Sequence, residues 1–318
     1  MVALYGWDEN MALLHFKPIP RQTIWGGDVI KNYYGYDWMP DNVGQAWAFA
    51  AQPTESNECL TDPYKGLTLK DLWEKHSELF GDTDRLFPVI VSLLGPVKDL
   101  SIQVHPDTEN ARKAGFLYGK NECWYFLEAE PDSKIVFGHN AKNEEDLRKY
   151  IAEGRWDDLI DHLDVSKDDF VYIPSGLLHA CCKGVCAYEV QQSTDVTYRF
   201  YDYDRVDAQG NKRELHLEKA IETLSYDKSA MVNIAHPVAE EIPGGIVTHL
   251  LSNESFTVTK VEVDGQAKLP AGTYQLVTVA RGSGVANGEN VQVGSQFLLP
   301  RGEALELSGK LTLMMTTA

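Results

Sequence analysis

The stretch Asp169-Phe-Val-Tyr-Ile-Pro174-Ser-Gly176-Leu-Leu-His179 decides how this chain reads. An apolar, β-favouring run ends at Pro174, which cannot donate to a strand ladder. Gly176 permits a tight turn, and His179 returns at the start of a second strand. In a barrel this layout puts the imidazole beside the mouth, facing inward. Outward from it the chain reads as short strands cut by Gly, Pro, Asn and Asp, at 87–94, 100–104, 124–128, 134–138, 169–174 and 187–192. Such spacing implies a mainly β barrel or sandwich.

Two further motifs suit that frame. In Leu100-Ser-Ile-Gln-Val-His-Pro106, Gln103 and His105 are two residues apart on a strand and so share a face. A Gln carbonyl and an imidazole aimed into one interior are suitable ligands for a divalent metal. In Lys120-Asn-Glu122-Cys-Trp124-Tyr-Phe-Leu, Glu122 opens an apolar strand, where an unpaired carboxylate is costly to bury. A metal explains both the charge and its place. Gln103, His105, Glu122 and His179 together offer two imidazoles, one carboxylate and one neutral oxygen. That mixture suits one Zn²⁺ per chain, with Mn²⁺, Fe²⁺ or Co²⁺ compatible, and leaves room for water or substrate.

Helical patterns interrupt the strands at 69–76, at 144–163 behind the N-cap candidate Asn143, and at 214–224. Beyond about residue 230 the helices vanish, and alternating strands joined by glycine turns run to the end. The expected organisation is a domain over 1–230, a barrel with helical insertions, followed by an all-β domain over 231–318.

The net charge of −18 argues against a nucleic-acid partner and against anionic membrane surfaces. It leaves room for a small anionic ligand where a few cations converge. No apolar run is long enough to span a membrane, and the N-terminal residues lack a basic region followed by an apolar one. Five cysteines, Cys59, Cys123, Cys181, Cys182 and Cys186, without a secretion signal read as free thiols in a reducing cytoplasm.

The Pro-x-Gly-x-x-His core resembles the second metal motif of the cupin superfamily, whose fold is a jelly-roll β-barrel. The order Gln-x-His-Pro, Lys-x-Glu, Pro-x-Gly-x-x-His is similar to that of the type I mannose-6-phosphate isomerases. Phe16-Lys-Pro18, Ile24-Trp-Gly-Gly27 and Gln192-Ser-Thr-Asp-Val-Thr-Tyr-Arg199-Phe-Tyr-Asp-Tyr-Asp-Arg205 also resemble their short bacterial members. The likeness runs from about residue 14 to 228, and it implies a cupin-like C-terminal domain. It further implies a sugar-phosphate substrate, with mannose 6-phosphate and fructose 6-phosphate interconverted through a cis-enediol(ate). Gln103, His105, Glu122 and His179 match the family's metal ligands. Arg199 and Lys120 match its active-site cations, and Glu189 matches a carboxylate proposed for acid–base work. Ser101 and Arg205 fall where the phosphate binders are expected.

The chain departs from that pattern twice. Ser92 stands in Phe-Pro-Val-Ile-Val-Ser where the family usually has Lys, and Gln45 follows Gly44 where it has Glu. The missing lysine implies fewer cations at the substrate's anionic end. Both departures spare the metal ligands, so they keep a second reading open: a sugar-phosphate-binding cupin with altered substrate or reduced catalysis, acting as a sensor.

Overall fold

Antiparallel strand pairing dominates the computed structural model, which describes residues 13–83, 85–206, 209–227 and 236–318. A five-stranded sheet has the order Tyr198–Tyr201, Ile102–Val104, His179–Ala180, Lys134–His139, Ile160–Asp164. A six-stranded sheet has the order Ile19–Gly27, Val43–Phe49, Val89–Leu94, Val185–Gln192, Glu122–Ala129, Phe170–Ile173. Between them lies a core that includes Trp124, Phe126, Ile135, Phe137, Ile173 and Leu177. A second cluster, with Ile102, Val104, Leu147, Leu178 and Phe200, packs the helices onto the five-stranded sheet. At roughly 25 cal/mol per Å², burial of such side chains is the main term holding the sheets together.

The third sheet contains His236–Ala318 almost entirely, as the glycine-punctuated alternation predicts. Its long strands Thr257–Leu269, Gln275–Ala286 and Leu305–Thr317 pair antiparallel, and Leu311, Leu313 and Met315 recur at period two in one core.

The chain nevertheless does not divide linearly. One unit takes the described residues of 20–46 and 91–235, and the other takes those of 1–19 and 47–90 with 236–318. The expected boundary at 230/231 lies outside the described residues. The grouping differs from that division because Leu14–His15 pairs with Gln296–Leu299, adding an early strand to the C-terminal sheet. Likewise the backbone N–H of Arg301 donates to Leu79 O at 2.8 Å. Pairings across nearly 300 residues leave no local mark on sequence.

Among the helices, Leu69–Lys75 forms where expected, with a capping box between Thr68 and Asp71. The pattern over 144–163 is not one helix. Asn143 caps Glu144–Ala152, Gly154 then adopts φ +66°, and a short helix Trp156–Leu159 leads into the strand Ile160–Asp164. Leu159 and Ile160 matched a helical face by spacing, but Leu159 ends the short second helix and Ile160 opens a strand. The third pattern narrows to Leu217–Thr223. Short helices Val29–Tyr34 and Thr108–Lys113 were not expected. All five cysteines are free and buried.

Candidate active site

The site is built from facing positions on the five- and six-stranded sheets. On the first, Arg199, Gln103 and His179 are successive cross-strand partners in an antiparallel register. Directly opposed residues of antiparallel strands share a face, and His105 shares it at two residues from Gln103. On the second sheet, Glu122 pairs with Gln191, and Trp124 pairs with Glu189. The same alternation sets Glu122, Trp124 and Glu189 on one side.

Three loops hold these strand ends in place. The N–H of Gly176 donates to His105 O at 2.8 Å, and that of Lys120 donates to Pro106 O at 3.1 Å. The N–H of Ser175 donates to Asn121 Oδ1 at 2.9 Å. Gly176 has φ +83°, and a Cβ there would lie 3.3 Å from Thr223 O. Only glycine takes that left-handed turn without strain. The turn read from Pro174-Ser-Gly176 thus ties together all three segments that carry the His and Glu side chains.

His105, Glu122 and His179 converge, with their donor atoms within 4.8 Å of one another and every one of them buried. Each imidazole bonds its Nδ1 to a backbone carbonyl at 2.9 Å, His105 to Val196 O and His179 to Leu177 O. A carbonyl accepts only, so each Nδ1 carries a proton, and Nε2 is the nitrogen left to offer a lone pair to a metal. Both Nε2 atoms face Glu122: His179 Nε2 is 3.1 Å from Oε1, and His105 Nε2 is 3.6 Å from Oε2. Fixing of ring orientation by a partner at the other nitrogen is the usual arrangement of metal-binding histidines.

The hydrogen bonding inside the cluster is incomplete. Both Glu122 oxygens and His179 Nε2 are buried without a hydrogen bond of good geometry. Lys120 Nζ approaches Glu122 Oε2 at 3.1 Å and His105 Nε2 at 3.2 Å, supplying charge at the spot. Buried polar atoms ordinarily find partners. Two lone-pair nitrogens, an unsatisfied carboxylate and a neighbouring Gln amide are a donor set that fits a divalent metal.

The electrostatics separate the titratable groups. Burial alone would raise Glu122, but Lys120, His179 and His105 outweigh it and hold the carboxyl far below its usual range. Burial would lower the Lys120 ammonium, yet Glu122 and Glu189 push it above its ordinary value. The two carboxylates thus favour the charged form of Lys120. Glu189 moves the other way: burial, then the charge of Glu122, raises it. Trp124 Nε1–H donates to Glu189 Oε1 at 2.9 Å, and Gln45 Nε2–H donates to Oε2 at 3.0 Å. Trp124 also stands edge-on to His179, with ring centroids 5.8 Å apart.

Arg199 and Ser101 meet, with Arg199 Nε donating to Ser101 Oγ at 3.4 Å. Arg205 is engaged otherwise than expected. Its guanidinium donates to the Asp202 carboxylate and to Asp99 O, and Arg213 donates to the same carboxylate at 2.5 and 2.7 Å. Arg213, with Trp124, went unrecognised in the sequence reading. Trp124 was legible as an alternate residue after Glu122, whereas nothing local marks Arg213. Burial, then the neighbouring positive charge of Arg213, lowers the pKa of Arg199.

Fold and cluster together define a β-barrel enzyme with a buried candidate metal centre. The family described as phosphomannose isomerase type I, catalytic domain, matches residues 13–139. The Bacillus subtilis mannose-6-phosphate isomerase ManA is 41% identical over 298 residues, 91% of this chain and 93% of that protein. The Streptococcus mutans mannose-6-phosphate isomerase is 40% identical over 290 residues, 90% and 89% of the two chains. The crystal structure of a B. subtilis mannose 6-phosphate isomerase superposes with TM-score 0.92 at 33% identity, covering 97% of this chain and 100% of that one. A Salmonella typhimurium phosphomannose isomerase, 12% identical with TM-score 0.76 over 96% and 99% of the chains, shares the fold. This chain belongs to the type I phosphomannose isomerase family, metal-dependent enzymes of cupin fold that interconvert mannose 6-phosphate and fructose 6-phosphate.

Proposed function

We propose that this chain isomerises mannose 6-phosphate and fructose 6-phosphate at the His105–Glu122–His179 centre, with Gln103 as fourth ligand and Zn²⁺ as the metal. The observation that carries the reading is the buried Glu122 carboxylate, which has no hydrogen bond of good geometry and faces two imidazoles each anchored through Nδ1. Gln103 joins the set on its register opposite His179. Two imidazoles, a carboxylate and a neutral oxygen favour zinc over the harder cations. The chemistry such a cation supplies when bound is Lewis acidity, which eases loss of a proton beside a carbonyl.

The chain's own residues carry the proton steps. Glu189 accepts the C2 proton of the open-chain aldose, and the released electron pair forms the C1–C2 double bond of the cis-enediol(ate). Glu189 then returns its proton to C1 while the O2 proton passes to O1 and the O2 electron pair forms the C2 carbonyl, so the ketose results with no net change in atoms or electrons. The raised pKa of Glu189 suits a group that must both take and give a proton. Lys120, kept cationic, balances negative charge beside the enediolate. Arg199 stabilises the same charge from the opposite sheet, and Ser101 donates to the substrate phosphate near it. Arg205 and Arg213, bridged by Asp202, brace this end and add positive potential there, so that a small dianion is held by local cations in an acidic protein.

The C-terminal sheet is assigned as a cupin-like domain. Five free, buried thiols favour a reducing cytoplasm. Among the described residues no helix is long and apolar enough to cross a membrane. The test is conversion of mannose 6-phosphate by zinc-loaded protein, with binding but no turnover as the outcome that favours a sensor.

A further inference from the structure

Gln45 and Ser92 stand on neighbouring strands of the six-stranded sheet, Val43–Phe49 and Val89–Leu94. Ser92 is fully buried, and Gln45 is half-buried. The amide nitrogen of Gln45 lies 3.1 Å from Ser92 Oγ and 3.0 Å from Glu189 Oε2. An amide carries two N–H donors, so one side chain serves both acceptors. The other Glu189 oxygen takes its bond from Trp124 Nε1. Each carboxylate oxygen thus has its own neutral donor, and the carboxylate is pinned from two strands.

The side chain at 92 therefore acts on the site through Gln45. Ser92 Oγ receives one amide hydrogen, which turns the other toward Glu189. We propose that Gln45, anchored by Ser92, is a positioning residue that aims Glu189 Oε2 for proton transfer, the two acting as a matched neutral pair. The proposal rests on the reading of Glu189 as the proton-transferring group. A carboxylate at 45 has no hydrogen to donate and would set a second anion against Glu189 in a buried place. Burial of like charges is costly unless a cation pairs with them, so a lysine at 92 should make a glutamate at 45 tolerable.

Steady-state kinetics on metal-loaded wild type, Glu189→Gln, Gln45→Glu, Ser92→Ala and Gln45→Glu/Ser92→Lys test this, with metal content and thermal midpoint measured on each. Glu189→Gln should lose about a hundredfold or more in kcat, the scale of general acid–base catalysis. Gln45→Glu should lose about ten- to a hundredfold in kcat, the scale of one hydrogen bond to a charged group, with KM within about twofold. Ser92→Ala, which keeps the volume, should lose roughly three- to tenfold in kcat alone. The double variant should regain about tenfold over Gln45→Glu at unchanged metal content. Should Gln45→Glu fail to fold, Ser92→Ala decides by its kcat. Wild-type kcat in Ser92→Ala, or a folded, metal-loaded double variant no faster than Gln45→Glu, overturns the proposal. Wild-type turnover in Glu189→Gln removes the reading of Glu189 itself, whereas an inactive Glu189→Gln beside wild-type kcat in the other variants removes only the positioning role.

Discussion

Gln103 and His179 sit directly opposite each other in antiparallel register, with Arg199 opposite Gln103 on its other side. One row of the five-stranded sheet thus carries two of the proposed metal ligands and the proposed electrostatic stabiliser. Because the ligands come from separate segments tied by the loops at 105, 120 and 176, metal binding and folding are linked.

That linkage gives the first expected outcome. Metal should raise the thermal midpoint of the wild type, since a ligand that binds only the native state at a thousand times its Kd adds about 4 kcal/mol. His179→Ala should lose stoichiometric metal on dialysis against chelator and show almost no shift on metal addition. Full metal retention in that variant would remove His179 from the centre.

Arg199 should affect the rate and leave metal content alone. Arg199→Lys keeps the charge and loses the planar fork. Its kcat should fall by about a hundredfold, the scale of removing one electrostatic stabiliser. Metal analysis by mass spectrometry alongside kinetics checks both halves, and a metal-free Arg199→Lys would mean that the residue serves the ligand set instead.

Gly176→Ala should destabilise the protein by roughly 1–2 kcal/mol, because φ +83° is strained for any residue with a Cβ. Since the Gly176 N–H holds the His105 carbonyl, metal affinity should fall as well. Denaturant melts with and without metal separate the two effects. Wild-type values in both would show that the loop adapts at no cost.

The Thr68–Asp71 capping box makes a pH prediction far from the site. Asp71 is held below its ordinary range by the hydrogen bond from Lys75, then by those from Thr68. A depressed carboxyl pKa contributes stability above the unfolded value, and that stability is lost as pH falls through the folded one. Asp71→Asn should therefore lower the thermal midpoint near neutrality, and the difference from wild type should close as pH drops below the ordinary carboxylate range. The effect is small, since the side chain is about one-third exposed, and Thr68→Ala should cost on the order of 1 kcal/mol.

Local chemistry was legible in the sequence wherever a motif spans a single turn. Pro174-Ser-Gly176 and the Gln103–His105 pair are read from residue types and a period of two, and the structure builds a turn and a shared face there. Spacing alone misled at 144–163, because Leu159 and Ile160 fit a helical stripe while Gly154 ends the helix before them. What joins distant segments left no trace. The bond from Gln45 to Glu189 spans 144 residues, and the pairing of Leu14 with Leu298 spans nearly the whole chain. Arg205 matches a phosphate-binding position by resemblance, and the Asp202 carboxylate that its guanidinium meets becomes visible only in the fold.

The central claim, isomerisation at a metal centre, meets its most direct test in one experiment. Protein stripped by chelator and protein reloaded with one equivalent of Zn²⁺ are incubated with mannose 6-phosphate, and fructose 6-phosphate is followed by a coupled assay. The account predicts turnover in the ordinary enzyme range of about 1–10³ s⁻¹ for the reloaded protein and next to none for the stripped one. Equal turnover in the stripped protein, or none in a reloaded protein that still binds the sugar phosphate, would contradict it.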